Sequence, residues 1–301
     1  MNRYNLYYTR KPWSNAVGHI TSHLIREGSP FFYGASPHDG DINYYPDIGI
    51  AATATIAGVM GVHALDDAVS SRSREAVCNL AKQHSAVITL THWAADIIRK
   101  HNPHVAVIPA GVAPAFKPLP RTRGKNPVVG VVGINRTGTL DVKGDALLAQ
   151  VIAQSKGLDF LVVGNGWHNS AAASKNAHVS ASFRLAGYEE MPLLYNKMDI
   201  LLCTSRAEGG HLPTLEALAC GVPVISTKTG YARDIDQEMC RTADSTPADM
   251  LREINSVLSA GYPQEAVSGI ASTYTWDAYF GAHLEAFRQW EDEFVLKGRN
   301  L

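Results

Sequence analysis

Between Met198 and Thr227 the chain reads MDILLCTSRAEGGHLPTLEALACGVPVIST. Asp199–Ser205 is an almost unbroken apolar run with the length of a strand buried on both faces. The loop Arg206–Leu212 follows and carries Gly209 and Gly210. Pro213 suits the first position of a helix and Gly221 the residue just past its end, so a helix is expected over Pro213–Cys220. Val222–Thr227 is the next strand. Two buried strands joined through a helix form a parallel crossover.

The same alternation extends in both directions. Before it, strands are expected at Val128–Gly133, Asp159–Gly164 and His178–Leu185, with helices over Asp145–Ser155 and Glu189–Met198. From about residue 246 the pattern is helical. In the first third, Asn5–Tyr8, Pro30–Gly34, Gly58–Ala64, Ala86–Thr91 and Val105–Pro109 read as strands, and HWAADIIRKH has helical spacing. Between the two halves lies APAFKPLPRTRGKNP, rich in proline and charge and poor in apolar residues, which reads as connecting chain. The expected fold class is α/β. A Rossmann-like domain over residues 1–115 and a linker over 116–126 precede a second Rossmann-like domain over 127–275, with a final segment over 276–301. Open sheets of this kind bind ligands at the carboxyl ends of their strands, and two such domains would face each other across a cleft.

Bulk properties narrow the function. The 301 residues are 46% hydrophobic and 18% charged, with a net charge of -1, so no global electrostatic capture of nucleic acid or an anionic membrane is expected. Cys78, Cys203, Cys220 and Cys240 include no C-x-x-C pair, and the two in apolar runs read as buried free thiols. No secretory leader and no membrane span is read in the chain, and a cytoplasmic location is expected. His19 and His23 stand four apart on an expected helix. Their segment holds no carboxylate partner, so a zinc site there is not favoured. Asp39-Gly40-Asp41 lies among Gly, Pro, Ser and His and reads as a turn. Gly164-Asn165-Gly166 lacks the third glycine of a dinucleotide fingerprint.

The quoted stretch also carries candidate chemistry. Glu208 and Glu216 flank the glycine pair and the helix start. Free N–H groups from Gly209 through His211 and Leu212 to Thr214 and Leu215 can hold a phosphate, with Glu216 placed in the first helical turn. Ionised carboxylates do not bind phosphate, but they accept hydrogen bonds from hydroxyls. Two hydroxyl-bearing groups around one diphosphate describe a nucleotide sugar.

E-x7-E followed by ALACGVPVIS resembles the donor-site motif of retaining GT-B glycosyltransferases of the family-4 type. VVGINRTGTLDVKG, MPLLYNKMDILLCTSRAEGG, VIPAGVAPAFKP and YTWDAYFGAHLEAF follow the family's order, with Ala110 where Asn is usual. The resemblance spans roughly residues 104–290. It implies Glu208 on the hydroxyls of the donor sugar, Glu216 on the ribose, and Arg136 and Lys143 on the diphosphate. It further implies His63 near the transferred sugar, Gly18 in the loop after the first strand, base recognition near Arg184–Tyr188, and a C-terminal helix that crosses back to the N-terminal domain. The implied reaction moves a sugar from a nucleotide-sugar donor, a UDP- or GDP-sugar, to an acceptor hydroxyl on a glycan, a small molecule or a modified nucleic acid. Anomeric configuration is retained, and neither a cofactor nor a metal is implied. Family members often read E-G-F-G-L where this chain has E-G-G-H-L, so His211 bears on the local backbone and on sugar preference. Two other readings stand beside this one. They are a nucleic-acid glycosyltransferase of the phage type and a nucleotide-sugar-binding regulator without transfer.

Overall fold

The computed structural model describes residues 3–7, 16–36, 39–62, 65, 74–121, 124–135, 141–175, 180–235 and 237–295. The chain divides into two units, Met1–Gly111 with Tyr274–Leu301 and Val112–Thr273.

The first unit is a six-stranded parallel sheet. It contains β1 (Tyr4–Leu6), α1 (Ala16–Ser22), β2 (Phe31–Tyr33), β3 (Ile42–Tyr45), α2 (Ile48–Ala51), β4 (Val59–Val62), α3 (Arg74–Ala81), β5 (Ala86–Thr89), α4 (His92–Ile98) and β6 (Val105–Val107). The strand order is β2-β1-β3-β4-β5-β6. Thr91 caps α4 by accepting from the N–H of Ala94.

The second unit holds β7 (Val128–Val132), α5 (Asp145–Gln154), β8 (Asp159–Val163), α6 (His168–Ser174), β9 (Ser180–Arg184), α7 (Met191–Tyr195), β10 (Ile200–Cys203), α8 (Leu212–Ala219), β11 (Val224–Thr227), α9 (Gly230–Ile235), β12 (Cys240–Ala243), α10 (Pro247–Ala260) and α11 (Gln264–Ile270). Its six strands are parallel and run β12-β11-β10-β7-β8-β9. Read from the other edge this is the Rossmann succession, three strands out one way from β7 and three the other way from β10. Val129, Val131, Phe160, Val162, Ile200, Leu202 and Ile225 face Leu148, Val151, Ile152, Met250 and Ile254 in one core. Both units are thus Rossmann-like, as the strand–helix alternation predicts.

Helix α12 (Trp276–Trp290) belongs to the first unit. Thr275 caps it, and Tyr279, Phe280, His283, Ala286, Phe287 and Trp290 recur at helical spacing as its buried face. Phe287 packs 4.9 Å from Tyr4 and 5.0 Å from Phe31, centroid to centroid. His23 stacks on Trp276 at 3.6 Å with ring planes 7° apart, so that histidine is part of an aromatic packing. Around Asp39-Gly40-Asp41 the carboxylates serve backbone groups, Asp39 accepting from the N–H of Ser36 on its own loop and Asp41 from that of Arg3 just before β1.

The proline-rich stretch is not free chain over residues 112–121. Phe116 is buried against Tyr188 and Tyr195. The guanidinium of Arg121 donates to the carbonyls of Met198, Cys220 and Gly221, which ties the stretch to the C-terminal end of α8. No helix among the described residues is long and apolar enough to cross a membrane.

Candidate active site

In the second sheet β7 and β10 are neighbours from which the strand succession departs in opposite directions, and the crevice outside their carboxyl ends is where such sheets take ligands. Lys143 reaches that crevice from the turn before α5. Asp141 accepts from the N–H groups of Asp145 and Ala146, capping the helix. Gly144 has φ +71°, and a Cβ there would lie 2.0 Å from the carbonyl oxygen of Thr204. Only glycine allows this approach. The hydroxyl of Thr204 then donates to the Lys143 carbonyl at 2.9 Å, and the N–H of Arg206 donates to the Val142 carbonyl at 2.8 Å.

These bonds bring Lys143 onto Glu208, whose Oε1 accepts from Lys143 Nζ and, at 2.7 Å, from the hydroxyl of Ser205. The pair is largely enclosed, with side-chain exposures of 23% and 11%. From behind, the N–H of Glu208 donates to Thr229 Oγ1 at 2.6 Å. Gly230 has φ +53°, and a Cβ on it would stand 3.0 Å from the nitrogen of His211, so a larger residue would press on the loop.

His211 stands between the two carboxylates and acts on both electrostatically. It is buried and precedes α8, with Nδ1 2.9 Å from Thr214 Oγ1. Burial pushes the imidazole toward neutrality, but Cys203 and Glu208 outweigh it and raise its pKa. Burial likewise pushes Glu208 up, and His211, Lys143 and Ser205 reverse that and hold its carboxyl below the ordinary value. The thiol of Cys203, at the end of β10, is pushed up by burial but drawn down to about 7 by His211. Glu216 is the opposite case. Burial raises its carboxyl to about 7 even though the hydroxyls of Tyr195 and Tyr188 and the charge of His211 favour the ionised form. Tyr195 donates to Glu216 Oε2 at 2.7 Å.

The structure corrects several expectations. Helix α8 begins at Leu212, so Glu216 is its fifth residue and lies beyond the first turn. The N–H of Thr214 donates to the carbonyl of His211 at 2.9 Å and is not free for a phosphate. Gly18 lies inside α1 and is buried, whereas the resemblance places it in a loop. His63 and Arg136 lie outside the described residues. Among the others, Lys143, Glu208, His211 and Thr214 come together, and Glu216 forms a second centre with Tyr188. Gly209, Gly210 and Leu212 are partly buried in the loop and helix start between them. Tyr195, Ser205, Cys203 and Thr229 were not anticipated as site residues. Ser205 and Thr229 had a signal, since each is a hydroxyl residue just beyond a buried strand.

Two parallel sheets of this topology, with a carboxylate pair at the switch point of the second, define an α/β protein of the GT-B class, and solved structures of that fold are similar to it. The lipopolysaccharide outer core galactosyltransferase WaaB superposes with a TM-score of 0.75 at 13% identity, over 95% of this chain and 99% of that one. HepE from Anabaena, solved with UDP and glucose, gives 0.72 at 14% identity over 95% and 100%. Residues 126–260 match the family described as glycosyl transferases group 1. A GDP-mannose-dependent monoacylated alpha-(1-6)-phosphatidylinositol monomannoside mannosyltransferase of Corynebacterium glutamicum is 29% identical over 48% of this chain and 39% of its own length. The O-antigen biosynthesis glycosyltransferase WclY of Escherichia coli is 28% identical over 34% of this chain and 30% of its own. The chain therefore spans well under half the length of these two relatives.

Proposed function

We propose that the chain is a glycosyltransferase that moves a sugar from a nucleotide-sugar donor to an acceptor hydroxyl with retention of anomeric configuration. The observation that carries the reading is the enclosed Lys143–Glu208 pair at the β7/β10 switch point, with a second buried carboxylate, Glu216, a short way along α8. In this reading Glu208 accepts from hydroxyls of the donor sugar and Glu216 from the ribose. Lys143 and Arg136 neutralise the diphosphate, and Tyr188 flanks the base. Gly209, Gly210 and Leu212 line the sugar side, and His63 is the residue that the family resemblance assigns to the transferred sugar. The donor is a UDP- or GDP-sugar. Support comes from the family match and from the names of the relatives.

As the glycosidic bond breaks, negative charge grows on the leaving diphosphate while the sugar gains oxocarbenium character. Lys143 is the described cation nearest that charge in this reading. Before the donor arrives its ammonium compensates Glu208, so the site holds no bare carboxylate. With donor bound, the sugar hydroxyls take over part of that role and Lys143 turns toward the diphosphate. Losing one preorganised stabiliser of this kind costs roughly 10²–10³ in rate. Lys143→Ala is therefore expected to lower turnover of a UDP- or GDP-sugar about 100-fold with the circular dichroism spectrum unchanged. Turnover near that of the unmodified protein would contradict the assignment. Retention is read from the anomeric proton coupling of the product, and inversion would overturn that part.

A further inference from the structure

Cys203, Glu208 and His211 form a set that the transfer reaction does not use together. Their thiol sulfur, carboxylate oxygen and imidazole nitrogen lie within 4.8 Å of one another. The fold holds each in place. Cys203 ends β10 and is only 3% exposed. Glu208 is fixed through its N–H by Thr229, and His211 has Nδ1 on the hydroxyl of Thr214. One ring nitrogen is thus oriented by a hydroxyl, the arrangement that metal-binding histidines use, and the ring also pairs with the Cys203 thiol, so the two ligand groups already face each other. Thiolate, imidazole and carboxylate together suit zinc-like cations, whereas magnesium and calcium take oxygen ligands. Two anionic ligands and one neutral ligand also bring a divalent cation to net neutrality, which favours an enclosed site.

We propose that Cys203, Glu208 and His211 bind a zinc-class divalent cation through three protein ligands, with a fourth position open, and that the cation competes with Lys143 for Glu208. On binding, the Cys203 S–H bond gives its proton to solvent, the thiolate and Nε2 bind the metal, and Glu208 exchanges the ammonium for the cation. Lys143 keeps 23% of its side chain exposed, so it can turn to water. Tetrahedral coordination requires ligand atoms about 3.5 Å apart, within about 1 Å of side-chain movement from the observed spread. A further consequence rests on the function proposed above: donor and cation exclude each other, because both engage Glu208.

The test uses the full chain, stripped of metal, under a non-thiol reductant. Titration with Co²⁺ is expected to give a one-to-one complex with a thiolate-to-cobalt charge-transfer band, bleached by one equivalent of Zn²⁺, with one proton released. Cys203→Ser should abolish the band and weaken Zn²⁺ binding by more than about 10-fold. Cys78→Ser, in the other unit, should leave both unchanged, and circular dichroism checks that each variant is folded. No band in the unmodified protein, or a band that survives in Cys203→Ser, overturns the site. Competition is read separately, as a Zn²⁺-dependent rise in the apparent Kd of a UDP- or GDP-sugar that Cys203→Ser removes. Metal binding without that rise overturns the shared use of Glu208 and leaves the site standing. Loss of donor binding without any metal counts against the proposed function alone.

Discussion

Glu208 and Glu216 are eight residues apart, yet their surroundings drive their carboxyls in opposite directions. Glu208 has a cation and a hydroxyl on one oxygen, and its charge is compensated. Glu216 has tyrosine hydroxyls and burial, which leaves it at about 7. Between the ordinary carboxylate value, about 4.3, and 7 the folded protein keeps a proton on Glu216 that the unfolded chain has given up. Stability is therefore lost as pH rises through that window, by up to about 4 kcal/mol for this group. His211, raised by Cys203 and Glu208 against burial, contributes with the same sign, so the carboxyl is isolated by comparison with Glu216→Gln. Urea unfolding at pH 5 and pH 8 should show a smaller pH dependence in Glu216→Gln than in the unmodified protein. Equal slopes would contradict the burial argument. Donor affinity should move the other way, rising through pH 7 as Glu216 ionises and accepts from the ribose. At this scale the two carboxylates were legible because a glycine pair and a helix start lie between them. Tyr195 was not, because it stands at the end of α7 and only the assembled sheet brings it near Glu216.

At the scale of elements, the strands that escaped the sequence reading are those that break its apolar rule. β3, INYY, buries Asn43, which accepts a hydrogen bond from Asn5 on the neighbouring strand. β12, CRTA, is an edge strand with two polar residues, and α6, HNSAAAS, has no apolar period. The first residues of α8 were displaced by one because Leu212, not Pro213, opens the helix. α12 was legible as a helix from its spacing and cap, and its packing makes a prediction. Phe287 is fully buried on Tyr4, Phe31 and Tyr44. Phe287→Ala should destabilise the first unit by about 3–5 kcal/mol, seen as an earlier urea transition. A loss below about 1 kcal/mol would mean that the helix contributes little to that core.

For the whole molecule, sequence likeness and fold likeness reach different distances. The family match ends within the second unit, at residues 126–260, whereas the similar solved structures cover 95% of the chain. Switch-point crevices are built from loops whose backbone positions are dictated by sheet order, so the second unit keeps recognisable spacing even where identity is low. Sugar choice depends on the few side chains that touch the hydroxyls. In the proposed reading Glu208 and His211 are the described residues at that end, and His211 departs from the commoner spelling of the family it resembles. The central claim is that this crevice holds a nucleotide sugar. Its most direct test is thermal unfolding of the full chain and of Glu208→Gln against a panel of UDP-, GDP-, ADP- and TDP-sugars. At 100 times its Kd the matching donor should stabilise the unmodified protein by about 2.7 kcal/mol, and the variant much less. No shift with any donor, or an equal shift in the variant, would contradict the account.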